Sequence, residues 1–228
     1  MKYDYLLFDA DDTLLDFRKS EDVSFQIVLD KHKISGDLKS LHTSYKQINE
    51  LLWTQHALGL VSKDVLKTER FRKFLEVNNL DGDASAMSDD YLNTLPTQVF
   101  LIDGTVELLN ALFKKIPLVI VTNGIGHVQH KRLNNSGIKE LISLMVVSEE
   151  CGFSKPDKRI FHHTFDLLQA DPKNHKFLMI GDKLETDILG ANTVGIESCW
   201  FNPERTKNAT EIKPTFEIDR LQHILDLL

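Results

Sequence analysis

The chain has 228 residues, of which 42% are hydrophobic and 27% charged, with a formal net charge of −7. That composition suits a globular protein able to bury a core without disulfides or structural metals, and the acidic balance excludes a basic surface for a nucleic-acid polymer while leaving room for a small anionic ligand at a local positive site. No apolar run approaches the roughly 20 residues of a membrane span, acids interrupt the N-terminal apolar run at once, and the two cysteines, Cys151 and Cys199, have no metal-ligand spacing, so the expectation is a cytoplasmic protein with two free buried thiols and no membrane partner.

Tyr3 to Phe8 is an apolar run of strand length that ends in Asp9, Asp11, Asp12 and Thr13. From about Phe17 the period becomes helical. Ser20 is a candidate cap for a helix carrying Val23, Ile27 and Val28; Leu41, Tyr45, Ile48, Leu51 and Leu52 continue the spacing to about Leu58, and Ser62 starts a helix with Val65, Leu66, Phe71, Phe74 and Leu75. After Pro96 the character changes. A helix from near Gly104 precedes the continuous apolar strand Pro117–Thr122, Asn123 to Gly126 turns into a helix ending at Gly137, and Leu144–Val147 reads as a strand. Asp157–Gln169 reads as a helix, Lys176–Ile180 as a strand, Glu185–Val194 as a helix and Ser198–Phe201 as a strand.

Continuous apolar strands alternating with helices predict a doubly wound parallel α/β sheet covered on both faces. The domain organisation expected is an α/β core of residues 1–16 and 97–228 interrupted by an all-helical insertion, residues 17–96. Ligand sites in such sheets lie at the carboxyl ends of the strands, and the suspicious polar residues of this chain cluster there. Asp9 and Asp11, two apart on an extended segment, point the same way. Their repulsion recommends a cation beside them, and hard oxygen ligands suit Mg²⁺. Thr122, Asn123 and Gly124 offer a hydroxyl and backbone N–H groups for an anion. Lys155, just before Pro156 and a helix, supplies a point charge. Asp182 ends another strand within Gly181-Asp-Lys-Leu-Glu-Thr-Asp187 and can complete a metal site.

Together, Asp9-Ala-Asp-Asp-Thr13, Thr122, Lys155 and residues 181–187 resemble, in order, the four motifs of the haloacid dehalogenase (HAD) superfamily, and the insertion sits where that family places its cap. The resemblance implies that Asp9 attacks phosphorus and carries an aspartyl-phosphate, that Asp11 protonates the leaving alcohol and later deprotonates water, and that Thr122 and the Asn123 turn bind phosphoryl oxygens while Lys155 balances charge. It also implies Mg²⁺ held by the Asp9 carboxylate, the Asp11 backbone carbonyl and Asp182, with Asp187 acting through a metal-bound water or Lys155. Asp11 favours a phosphatase or phosphomutase, since the dehalogenase branch lacks an aspartate there and the ion-pumping ATPases carry threonine. Asp12 stands where the family usually has glycine, a backbone position aspartate tolerates better than most residues.

Longer stretches, Phe8–Leu14, Asn49–Trp53, Ser148–Phe161 and Gly181–Asn202, resemble the pyrimidine 5′-nucleotidase branch, which acts on dUMP, UMP and dTMP. The partner implied is a small phosphate monoester, with specificity expected in the cap. Trp53 and Tyr45 are candidates to stack on a base, against a reading as helix packing, and Arg70 or Arg72 is a candidate to meet a substrate, against the favoured reading as solvated helix charges. Glu149 and Glu150 read as structural, and the pairs His127/His130 and His162/His163 lack companion zinc ligands. A phosphoglycolate or sugar-phosphate phosphatase fits the same motifs. A phospho-acceptor module without turnover does not explain Asp11 and an insertion of roughly 80 residues.

Overall fold

A computed structural model describes all 228 residues. Six strands form one parallel sheet: β1 (Tyr5–Phe8), β2 (Leu118–Thr122), β3 (Leu144–Val147), β4 (Phe177–Gly181), β5 (Glu197–Phe201) and β6 (Phe216–Ile218). Their order is β3-β2-β1-β4-β5-β6. β1 is central, with Phe8 opposite Ile120 of β2 and Ile180 of β4. The chain winds outward from β1 to β3, then returns to the other side of β1 at β4, which makes the β1/β4 boundary the switch point where such sheets bind ligands.

The apolar strands obey the alternation of an extended chain. Leu6, Phe8, Leu118, Ile120, Leu178 and Ile180 face one side, where they join Leu108, Leu109 and Leu112 of α5 (Thr105–Leu112) and Leu221 and Ile224 of the C-terminal 3₁₀ segment. Leu7, Val119, Val121, Phe177 and Met179 face the other side, against Ile160, Phe161 and Phe165 of α8 (Lys158–Leu167) and Ala191 of α9 (Leu189–Thr193). Burying both faces explains why these strands read as continuous apolar runs. In chain order, α6 (Gly126–Asn135) and a single turn, α7 (Ser148–Cys151), lie between α5 and α8.

The chain divides into two compact units, Met1–Phe17 with Val99–Leu228, and Arg18–Gln98. The second unit consists of helices α1 (Phe17–Lys31), α2 (Leu38–Ala57), α3 (Lys63–Val77) and α4 (Ala84–Thr94), so the predicted helical character of the insertion is what is observed. Its core stacks Phe25 on Tyr45 at 4.1 Å, with Phe71, Phe74 and Tyr91 around them. Ser62 caps α3 as expected, its Oγ accepting from the Val65 N–H. Ser20 does not cap α1: the helix begins three residues earlier, and Ser20 is buried inside it, its carbonyl accepting from Ser24 Oγ.

Two further differences from the expected elements are local. The helix predicted from Glu185 opens as a π turn, Leu184–Ile188, with the N–H groups of both Asp187 and Ile188 directed to the Lys183 carbonyl. The short edge strand β6 lacks a long apolar run and is not evident in the sequence. Cys199 is buried and Cys151 only partly so, both as free thiols. No helix is long and apolar enough to cross a membrane.

Candidate active site

Four segments at strand ends meet in the α/β unit. The β1 amides lead directly into Asp9, whose N–H bonds the Ile180 carbonyl of β4. The chain then folds back on itself: Leu14 and Leu15 N–H groups return to the Ala10 carbonyl, and Asp12 N–H bonds Leu15. This turn requires a left-handed residue at position 12, and Asp12 adopts φ 59°. The departure from glycine therefore keeps the backbone geometry that glycine serves, at a modest strain.

Lys155 lies at the centre of the site. Its side chain is 1% exposed, and its ammonium contacts Asp9 Oδ1 at 2.5 Å and Asp187 Oδ1 at 2.7 Å. Burial works against its charge, but Asp187 and Asp9 outweigh burial and hold the ammonium above its ordinary pKa. The Lys155 backbone is clamped by Asn123, whose amide accepts from the Lys155 N–H at 2.8 Å and donates to the Lys155 carbonyl at 2.9 Å. The Asn123 side chain is thus committed to positioning Lys155, and any contact of this residue with an anion falls to its backbone N–H.

The π turn aims Asp187 inward. Its second oxygen accepts from the Lys183 N–H at 3.1 Å and packs so close to Gly181 that a Cβ there would lie 2.3 Å from it. Glycine at 181 is what permits that approach, and a π turn at a ligand site is a recurrent arrangement. Asp182 follows at once, its carbonyl held by Trp200 Nε1 at 2.8 Å. Carboxylate oxygens of Asp9, Asp182 and Asp187 all lie within 4.8 Å of one another.

That crowding is electrostatically unfavourable. Burial pushes the Asp9 carboxyl up to about 7, Lys155 opposing the rise and Asp187 and Asp11 adding to it. Burial, then Asp9 and Asp187, holds Asp182 well above the usual carboxylate range. Asp182 Oδ1 is buried with no hydrogen-bond partner. A buried acceptor without a donor, among like charges, fits a hard cation with oxygen ligands.

Asp11 is placed differently. Its two oxygens accept from two donors on α6: Oδ1 from Arg132 Nη1 and Oδ2 from Gln129 Nε2, the latter at 2.8 Å. Neither Gln129 nor Arg132 was singled out in the sequence. Their signal was present: Val128, Gln129, Arg132 and Leu133 are buried on α6, and a glutamine and an arginine on such a stripe call for partners. Thr122 ends β2, fully buried, and its Oγ1 accepts from the Gly124 N–H at 3.1 Å and Gln129 Nε2 at 2.9 Å. The N-terminus of α6 is already occupied, the Gly126 N–H donating to Glu149 at 2.6 Å, while Glu150 pairs with His130.

The structure thus brings Asp9, Lys155, Asp182 and Asp187 together, with Asp11 and Thr122 joined through Gln129. In the helical unit, Tyr45 is buried core and cannot stack on a base without unpacking it, whereas Trp53 is partly exposed and meets His56. Arg70 is not a solvated charge: it is 2% exposed, with its guanidinium 4.5 Å from the Tyr91 ring centroid and a bond to Asn49, which in turn donates to Glu21. Arg72 is exposed, paired with Glu69 and Glu76.

The sequence pattern of haloacid dehalogenase-like hydrolases matches residues 3–195. Pyrimidine 5′-nucleotidase PynA of Streptococcus pneumoniae is 34% identical over 100% of this chain and 96% of its own length. Pyrimidine 5′-nucleotidase YjjG of Escherichia coli is 30% identical, covering 100% and 99%. A crystal structure of the HAD-hydrolase YfnB from Bacillus subtilis, bound to magnesium, has a TM-score of 0.91 and 34% identity, covering 100% of this chain and 99% of that one. A site built from strand-end carboxylates around a buried lysine and a match spanning most of the chain agree: this protein belongs to the haloacid dehalogenase-like hydrolase family.

Proposed function

We propose that the protein is a Mg²⁺-dependent phosphatase of pyrimidine nucleoside 5′-monophosphates such as dUMP, UMP and dTMP. The observation that carries the phosphatase reading is the buried Lys155 ammonium bridging Asp9 and Asp187 beside Asp182, whose Oδ1 has no hydrogen-bond partner. Full-length similarity to two pyrimidine 5′-nucleotidases supports the substrate class.

In this reading a carboxylate oxygen of Asp9 attacks phosphorus while the bond to the ester oxygen breaks. The leaving oxygen keeps the electron pair and takes a proton from Asp11. Water then attacks the phosphorus of the aspartyl-phosphate and gives its proton to Asp11, which frees Asp9 and phosphate. Thr122 donates its hydroxyl proton to a phosphoryl oxygen, and Lys155 holds Asp9 in line and offsets the charge of the phosphoryl group. Asp9, Asp182 and the Asp11 carbonyl are the ligands for Mg²⁺, which supplies charge neutralisation; Asp187 orients Lys155 from behind.

A phosphate-release assay with Mg²⁺ across nucleoside monophosphates, phosphoglycolate and sugar phosphates tests both levels. Preference for pyrimidine nucleotides over purine ones is the expected result. Faster turnover of phosphoglycolate or a sugar phosphate discards the substrate and keeps the chemistry. Turnover that survives Asp9→Asn removes the nucleophile assignment.

A further inference from the structure

Gln129 is 2% exposed, and both its amide protons and its oxygen are engaged. Its nitrogen has two protons and faces two acceptors, Asp11 Oδ2 at 2.8 Å and Thr122 Oγ1 at 2.9 Å. Its oxygen accepts from Arg132 Nη1 at 2.9 Å, and the same Nη1 reaches Asp11 Oδ1. The guanidinium itself is fully buried, 5.3 Å from the Phe17 ring centroid. The network admits one orientation of the amide, because the reverse would face nitrogen with a guanidinium and oxygen with a carboxylate.

Two consequences follow from counting donors. A hydroxyl has two acceptor sites and one proton. Thr122 Oγ1 receives one N–H from Gly124 and one from Gln129, so both acceptor sites are filled and its proton is left to donate. Asp11 is held at both oxygens by donors from two different side chains, which fixes the rotation of its carboxyl as well as its position. One donor would leave that rotation free. Acid/base groups act only within hydrogen-bond reach and correct alignment of the reacting atom.

We infer that Gln129 and Arg132 are positioning residues that set the Thr122 hydroxyl as a dedicated phosphate donor and fix the Asp11 carboxyl for proton transfer, coupling the two through a single amide. This inference rests on the reading of Asp11 as the acid/base. Gly124 belongs to the device, since a Cβ there would lie 2.4 Å from Gln129 Nε2.

The test uses leaving-group dependence, which a merely structural role does not move. A poor alkyl leaving group needs protonation by Asp11; p-nitrophenolate leaves without it. The substrates are p-nitrophenyl phosphate and whichever of UMP, ribose 5-phosphate or phosphoglycolate the unsubstituted protein hydrolyses fastest. For Asp11→Asn, kcat on the alkyl ester should fall by a factor of about 10²–10⁴ and much less on the aryl ester. Gln129→Leu should show the same skew, at least about tenfold between the two esters, together with a raised KM for both as Thr122 loses its orientation. Gln129→Glu, nearly the same size but unable to donate, should match or exceed it, and serves where the leucine variant does not fold. Arg132→Lys, which keeps the charge but loses the shared Nη1 geometry, should show the skew without the KM rise. If Asp11→Asn loses both esters equally, the acid/base reading fails. If Asp11→Asn is skewed while folded Gln129→Glu loses both esters equally, or neither, the positioning inference is overturned.

Discussion

Asp182→Asn should reverse the sign of its effect on stability according to whether Mg²⁺ is present. Asp9, Asp182 and Asp187 lie within 4.8 Å of one another; Lys155 pairs with Asp9 and Asp187, the charge of Lys183 beside Asp182 is offset by Asp12, and the formal charge with every group ionised is −2. Burial and its neighbours already raise the pKa of Asp182, and an amide is close in shape to the protonated acid. In EDTA the substitution removes a like charge and should leave the protein as stable as before, or more so. With Mg²⁺ it removes one of the proposed ligands. At a concentration a hundred times its Kd, Mg²⁺ should stabilise the unsubstituted protein by about 2.7 kcal/mol, which is a rise in Tm of about 5–11 °C for a protein of this size. A tenfold weaker Kd in Asp182→Asn reduces that to about 1.4 kcal/mol, or about 3–6 °C. Thermal melts followed by circular dichroism, in EDTA and in MgCl₂, read all four values. Destabilisation of Asp182→Asn in EDTA by more than about 1 kcal/mol, beyond the usual scatter of surface changes, would refute the reasoning, as would an undiminished Mg²⁺ shift.

Lys155→Met leaves Asp9 and Asp187 buried without their shared cation, and should cost about 3–5 kcal/mol in urea unfolding along with all measurable turnover; a loss under 1 kcal/mol contradicts the buried bridge. Asp12→Gly should change stability by less than about 1 kcal/mol, because it relieves a left-handed residue while loosening the unfolded chain, whereas Asp12→Val should lose about 1–3 kcal/mol. The metal-free protein should lose stability as pH rises. Asp9 has its pKa raised from the ordinary carboxylate value to about 7, so its contribution is fully present below about 3.9 and declines up to about 7. The pH series in EDTA, compared with Asp9→Asn, isolates that term, and an identical pH dependence in the two proteins refutes it.

Much of this site was legible because its residues sit where the chain changes period. Asp9, Thr122 and Asp182 each follow a continuous apolar run, and a buried parallel strand must end in a turn at the ligand-binding edge. Lys155 was legible from its motif, though not its burial. What escaped were residues whose role depends on the facing element. Gln129 and Arg132 look like ordinary members of a polar helix until α6 is docked with that stripe inward, over Asp11. Arg70 likewise reads as a solvated charge in α3, and becomes a core residue only because Asn49 of α2 and Tyr91 of α4 surround it. Asp187 was expected to act through Lys155 or a metal-bound water, but the π turn that directs it inward is announced by no local pattern.

The charge count also constrains the order in which ligands can be held. With every group ionised, Asp11 cancels Arg132 and Asp12 cancels Lys183, so the formal charge is the −2 of Asp9, Asp182, Asp187 and Lys155. A phosphate dianion brought to it meets like charge, and each pair of unit charges about 4 Å apart repels by roughly 4 kcal/mol at an effective permittivity near 20. The neutral hydrogen bonds on offer from Thr122 and the turn after it contribute about 1 kcal/mol each, too little to compensate. A divalent cation brings the protein's own charge to zero and reverses the balance. Millimolar inorganic phosphate should therefore raise the melting temperature when Mg²⁺ is present and leave it unchanged in EDTA. In Asp182→Asn, where the formal charge without metal is only −1, the dependence on Mg²⁺ should weaken. An equal phosphate-induced shift with and without Mg²⁺ in the unsubstituted protein would mean that Lys155 and the Thr122 turn suffice to hold the anion, and that the carboxylates are less charged than their count implies.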